Sequence, residues 1–67
     1  MPRLRAWPGY DLHLTMAPSF VRALFERRGD AYVKAAGRSR GAVVYQDGEY
    51  VVGEGCSEEE LLRWSGL

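Results

Sequence analysis

Apolar and polar residues along this chain change period several times, and each change predicts an element. From residue 10 to 16 they alternate strictly. Tyr10, Leu12, Leu14 and Met16 take one side, Asp11, His13 and Thr15 the other. A period of two is that of a half-buried strand. Pro8-Gly9 before it is a turn signal, so the pattern predicts a hairpin with the short mixed segment 3–7. Phe20, Val21, Leu24 and Phe25 then recur at helical spacing. Pro18 suits a first helical position, Arg27 and Arg28 suit a last turn, and Gly29 suits a left-handed cap. Together they predict a helix over 18–28.

The second half reads as strands and a closing helix. Residues 31–36 predict a strand, and 42–46 and 49–53 predict two more around Asp47-Gly48, a strong hairpin signal. A two-residue turn there sets Gln46 opposite Glu49, Tyr45 opposite Tyr50, Val44 opposite Val51 and Val43 opposite Val52. Ser57 with Glu60 three residues later is a capping box and opens a helix over 58–64. Cys56 and Leu61 hold the staple positions around that box. Gly66 ends the helix, with Leu67 folding back on Leu62 as in a Schellman motif.

These elements make one α+β domain over residues 1–67. It is a small antiparallel sheet of three to five strands with two helices. The order is a strand or hairpin, a helix, three strands and a helix. The expected core is Leu12, Leu14, Val21, Leu24, Phe25, Val33, Val43, Val52, Leu61 and Trp64. The chain ends where its last helix ends, which reads as a complete domain.

Composition adds a problem of size. A chain of 67 residues buries only about 60% of the surface its unfolded form exposes. Small domains supplement such cores with disulfides, metals or oligomerisation. One cysteine excludes an intramolecular disulfide, and with one histidine it leaves no zinc ligand set. No cofactor or metal is predicted, and oligomerisation is the expected supplement. No apolar run approaches the ~20 residues that span a bilayer, and residues 1–10 hold no apolar signal core. The expected location is cytoplasmic, without a membrane. Eight of the nine basic residues are arginine.

The 42–53 hairpin is apolar on both faces. One carries Tyr45, Tyr50, Val43 and Val52, the other Val44 and Val51 with Ala42 and Gly53. Two helices cover one face of a small sheet. The other face needs residues 3–16 or another subunit. The candidate interface residues are therefore Val44, Val51, Tyr45 and Tyr50, tyrosine being enriched at interfaces. The leading expectation is a non-catalytic protein-interaction module, self-associating or a small subunit of a complex.

Charge offers an alternative. Net charge is zero, but residues 20–45 carry six basic and two acidic side chains, and 46–67 carry six acidic and one basic. Such asymmetry marks a polar binding face, head-to-tail association, or a surface that mixes in three dimensions. Gly37-Arg38-Ser39-Arg40-Gly41 is a basic loop suited to phosphate contacts. The second reading is a nucleic-acid-binding regulator using Arg38 and Arg40 with Arg27 and Arg28.

From residue 18 the predicted order, helix, three strands, helix, resembles double-stranded-RNA-binding domains and HicA-type toxins. Glu58-Glu59-Glu60 replaces the lysine-rich second helix of the former, and residues 31–53 lack the strand histidine of the latter. Residues 14–33 resemble swapped-hairpin transcription regulators of the AbrB/MazE type. The likeness lies in a strand, Pro18 with Arg22 four residues on, a short helix, and Gly29-Asp30 before a strand. It implies a dimeric DNA binder, covers under a third of the chain, and carries over no site residue.

Catalytic groups are few. The run from Gly53 to Ser57 resembles a phosphate loop, but no lysine follows the glycines and Glu54, Glu58, Glu59 and Glu60 crowd the site of an anion. Cys56 beside a helix start reads as an apolar staple residue. His13 with Asp11 and Thr15 reads as a solvated strand face lacking a nucleophile in reach.

Overall fold

In the computed structural model, which describes residues 2–16 and 24–67, the described residues form five strands and two helices. They run β1 (Arg3–Arg5), α1 (Leu12–Met16), β2 (Phe25–Arg28), β3 (Ala31–Lys34), β4 (Val43–Asp47), β5 (Tyr50–Glu54) and α2 (Glu58–Ser65). The sheet is antiparallel throughout, in the order β1-β5-β4-β3-β2. Strands β2 to β5 form a meander, and β1 closes the far edge. The class is the expected α+β.

Two elements differ from expectation. Residues 12–16 are helical, not a strand. Asp11 Oδ1 accepts from the backbone N–H of His13 at 2.9 Å, which is helix N-capping. Leu12 and Met16, four residues apart, then share one face and are fully buried, while Leu14 swings out to 75% exposure. Alternation at 10–16 fits both periods at Leu12 and Met16. The cap fits the helix, and burial of Leu12 and Met16 with the Gln46 bond to Leu12 N–H selects it.

The second correction falls at 25–28, expected as the end of a helix. These residues form β2, paired with β3 from Phe25↔Lys34 to Arg28↔Ala31. Gly29-Asp30 is therefore a two-residue hairpin turn, with Gly29 at φ 62°. A helix cap and a type II′ turn both demand a residue at positive φ, so the glycine signal is common to both. Leu24 is a turn residue, and residues 18–23 of the expected helix, including Val21 of the expected core, lie outside the described residues.

The β4–β5 turn is Gly48-Glu49, one residue later than expected. Asp47 faces Tyr50, Gln46 faces Val51, Tyr45 faces Val52 and Val44 faces Gly53. Gly48 takes φ 60° at the first central position, which spares Asp47 a left-handed conformation. The pairing slips by two residues, so each side chain keeps its face.

At α2 the capping box forms as expected. Ser57 Oγ accepts from Glu60 N–H at 3.1 Å, and Ser57 N–H donates to Glu60 Oε1 at 3.0 Å. Gly66, at φ 74°, closes the helix through a single bond from its N–H to Leu62 O. That is the simpler αL motif rather than the Schellman motif.

Both helices lie on one face of the sheet. The core joins Leu12 and Met16 of α1 and Leu61 of α2 to Tyr32, Val44 and Val51 of the central strands, with Phe25 toward the edge. Val44 and Val51 are 0% exposed within one chain. They are core residues, which corrects their assignment to an interface. Leu14 and Leu24 are exposed and Val33, Val43 and Trp64 half-buried, against the core expected for them. No helix among the described residues is long and apolar enough to cross a membrane.

Candidate functional site: the open face of the sheet

The register arranges the other face in rows across the strands. One row reads Arg3, Val52, Tyr45, Ala31, Arg28, from β1 to β2. The next, two residues along each strand, reads Glu54, Val43, Val33, Glu26. On the other side of the arginine row stand Arg5, Tyr50 and Asp47. The centre of the face is thus apolar, with arginines ending one row and glutamates ending the next.

No described element covers this face. Yet Val52 is only 5% exposed, and Val33, Val43, Tyr45 and Tyr50 are half-buried. Their neighbours shield them. The Arg3 guanidinium lies 4.3 Å from the centre of the Tyr50 ring, a cation–π distance. Arg28 pairs with Glu26 at 3.2 Å, and Arg5 with Glu49 at 3.2 Å. These pairs are exposed, so each contributes about 0–1 kcal/mol. Within the rows Arg3, Arg5 and Arg28 balance Glu26, Asp47 and Glu54, leaving the face neutral.

Of the expected interface residues, Tyr45 and Tyr50 lie on this face, and Val44 and Val51 lie beneath the helices. The sequence grouped Val43, Tyr45, Tyr50 and Val52 correctly. It could not say which hairpin face the helices take. Arg3, Glu26 and Glu54 were missed because their place depends on cross-strand register.

The four arginines of the nucleic-acid reading do not converge. Arg28 ends a row of the open face. Arg27, next to it on β2, faces the other side, where its Nε donates to Gly29 O at 3.0 Å. Arg38 and Arg40 lie in the loop joining β3 to β4. The helix-first order behind the likenesses to RNA-binding domains and toxins is absent over 25–28, which are strand.

Possible catalytic groups are placed as follows. His13 lies on α1, with Nδ1 2.9 Å from Tyr32 Oη and Nε2 4.0 Å from Asp30 Oδ1. Asp11 spends its carboxylate on the helix cap. Burial, and then the Glu60 carboxylate, push the Cys56 thiol up, away from a reactive thiolate.

No protein-family model, curated protein or solved structure matches the chain.

Proposed function

We propose that this chain is a non-catalytic protein-interaction module that docks through the open sheet face, and that its partner is a second copy of itself. One observation carries the reading: the apolar centre ends in arginines in one row and in glutamates in the next. Two sheets stack face to face about 10 Å apart with strands roughly aligned. A two-fold axis running across the strands between these rows sets each row on the other. Arg28 then meets Glu26 of the second copy, and Val33, Val43 and Tyr45 fill the middle. Glu54 comes within a strand's width of Arg3 of the second copy. A two-fold interface must be self-complementary in this way.

The neutrality of the face favours a protein over nucleic acid, which draws on an excess of positive charge. The dispersed arginines weaken the nucleic-acid reading further. Location in the cytoplasm belongs to the same proposal and rests on sequence alone.

The test is molar mass by light scattering across a concentration series. The wild type is expected to dimerise. Tyr45→Glu, at a half-buried site, is expected to leave a folded monomer. Arg28→Glu alone places like charges together and weakens the dimer. Arg28→Glu with Glu26→Arg restores it. A wild type that stays monomeric at high concentration overturns self-docking and leaves the face to a different protein. A dimer indifferent to Tyr45→Glu places the interface elsewhere.

A further inference from the structure

The chain's single lysine is also the one buried cation among the described residues. Lys34 is 5% exposed at the end of β3. Its Nζ donates to Ala36 O at 2.6 Å and to Arg38 O at 2.8 Å. It sits 5.9 and 5.7 Å from the ring centres of Phe25 and Trp64. A buried charge ordinarily carries a counter-ion. No carboxylate stands within ion-pair distance of Lys34 among the described residues. The remaining residues, 1 and 17–23, contain no aspartate or glutamate.

Lys34 lies in a cavity of about 310 Å³ that Phe25, Arg38, Glu60, Arg63 and Trp64 also line. Neither Arg38 nor Arg63 forms an ion pair among the described residues. The single carboxylate, Glu60, is already engaged. Its Oε2 accepts the Ser39 hydroxyl at 2.6 Å and its Oε1 the Ser57 N–H. Ser39 holds φ 62° in this arrangement, a conformation that costs a non-glycine residue free energy. Three cations against one committed carboxylate give the cavity lining an excess of two positive charges. Its volume is that of a small-ligand site, and the edge-to-face Phe25–Trp64 pair, 5.2 Å between centres, gives it an apolar wall.

We infer that this cavity binds a small organic anion: a carboxylate carried on a flat apolar body. The body lies against Phe25 and Trp64. The carboxylate meets the Arg38 and Arg63 guanidiniums, whose planar forks match it, and neutralises the field of Lys34. The site lies outside the rows of the open face, so it stands or falls apart from self-docking.

Phenylacetate is the probe and phenylacetamide its neutral counterpart, titrated at constant ionic strength in a Trp7→Phe background so that Trp64 is the only indole. A saturable change in Trp64 fluorescence with phenylacetate is expected in the millimolar range for so small a ligand. The amide is expected to bind at least about tenfold more weakly, as loss of charge-assisted hydrogen bonds implies. Arg38→Ala with Arg63→Ala is expected to lose a similar factor. Both positions are exposed, and circular dichroism checks that the fold is kept. Lys34 is left intact because it also holds its loop. No saturable response to phenylacetate, equal affinity for the amide, or unchanged affinity in the folded double variant each overturns the inference.

Discussion

Gly53 faces Val44 across the β4–β5 ladder, and a side chain on Gly53 would collide with Cys56. A Cβ built there falls 2.6 Å from Cys56 Sγ and 3.1 Å from the nearer Leu61 methyl. Its backbone is not at positive φ, so the need for glycine is one of space. The expected staple of Cys56 and Leu61 is thus closed over a glycine of the sheet. Gly53→Ala is expected to cost about 1–3 kcal/mol, the usual range for overpacking. Adding Cys56→Ala removes the worst contact and recovers part of it. Urea denaturation of the single and double variants measures both.

Gln46 fastens α1 to the sheet. Its Oε1 accepts from Leu12 N–H at 2.9 Å, and its Nε2 donates to Tyr10 O at 3.0 Å. Gln46→Leu keeps the bulk and leaves both backbone groups unpaired, which is expected to cost about 1–3 kcal/mol. Gln46→Glu keeps the acceptor for Leu12 and costs less. Hydrogen exchange at the amides of α1 reads the local effect, with faster exchange in both variants.

The acid limb of stability has an identifiable contributor in Glu60. The Ser39 hydroxyl, then the Ser57 backbone amide, hold its carboxyl below the usual glutamate range. A carboxylate with a lowered folded value binds its proton less readily when folded than when unfolded. Its stabilisation is therefore complete above the ordinary glutamate value and lost as pH falls through the folded one. Glu60→Gln removes that dependence. Melting temperatures of wild type and Glu60→Gln should differ most near neutral pH and converge as pH falls from the ordinary glutamate value through the lowered folded one. A constant difference at every pH would contradict this assignment.

Val43 and Val44 are neighbours with opposite roles. Val44→Ala empties fully buried space and is expected to cost about 2 kcal/mol of monomer stability. Val43→Ala, on the half-buried open face, costs much less. In self-association the order reverses, with Val43→Ala the more harmful. Denaturation and sedimentation equilibrium on the two variants separate these roles.

The sequence alone determined what local chemistry can decide. Ser57 and Glu60 could satisfy each other's backbone without help from elsewhere, so the start of α2 was legible, and so was its end at Gly66. Alternation from Val43 to Val52 sorted the hairpin into its two faces correctly. Tertiary structure decided the rest. Residues 12–16 bear a pattern readable as strand or helix, and the Gln46 amide and the pocket for Leu12 and Met16 selected the helix. Gly29 signals a positive φ whether it ends a helix or turns a hairpin, and pairing of Phe25 with Lys34 chose the hairpin. Which hairpin face becomes core depends on where both helices land, so Val44 and Val51 were mistaken for surface. The arginine and glutamate rows, and the cavity around Lys34, come from residues far apart in the chain. Their meeting depends on strand register and helix placement, which a one-dimensional pattern does not contain.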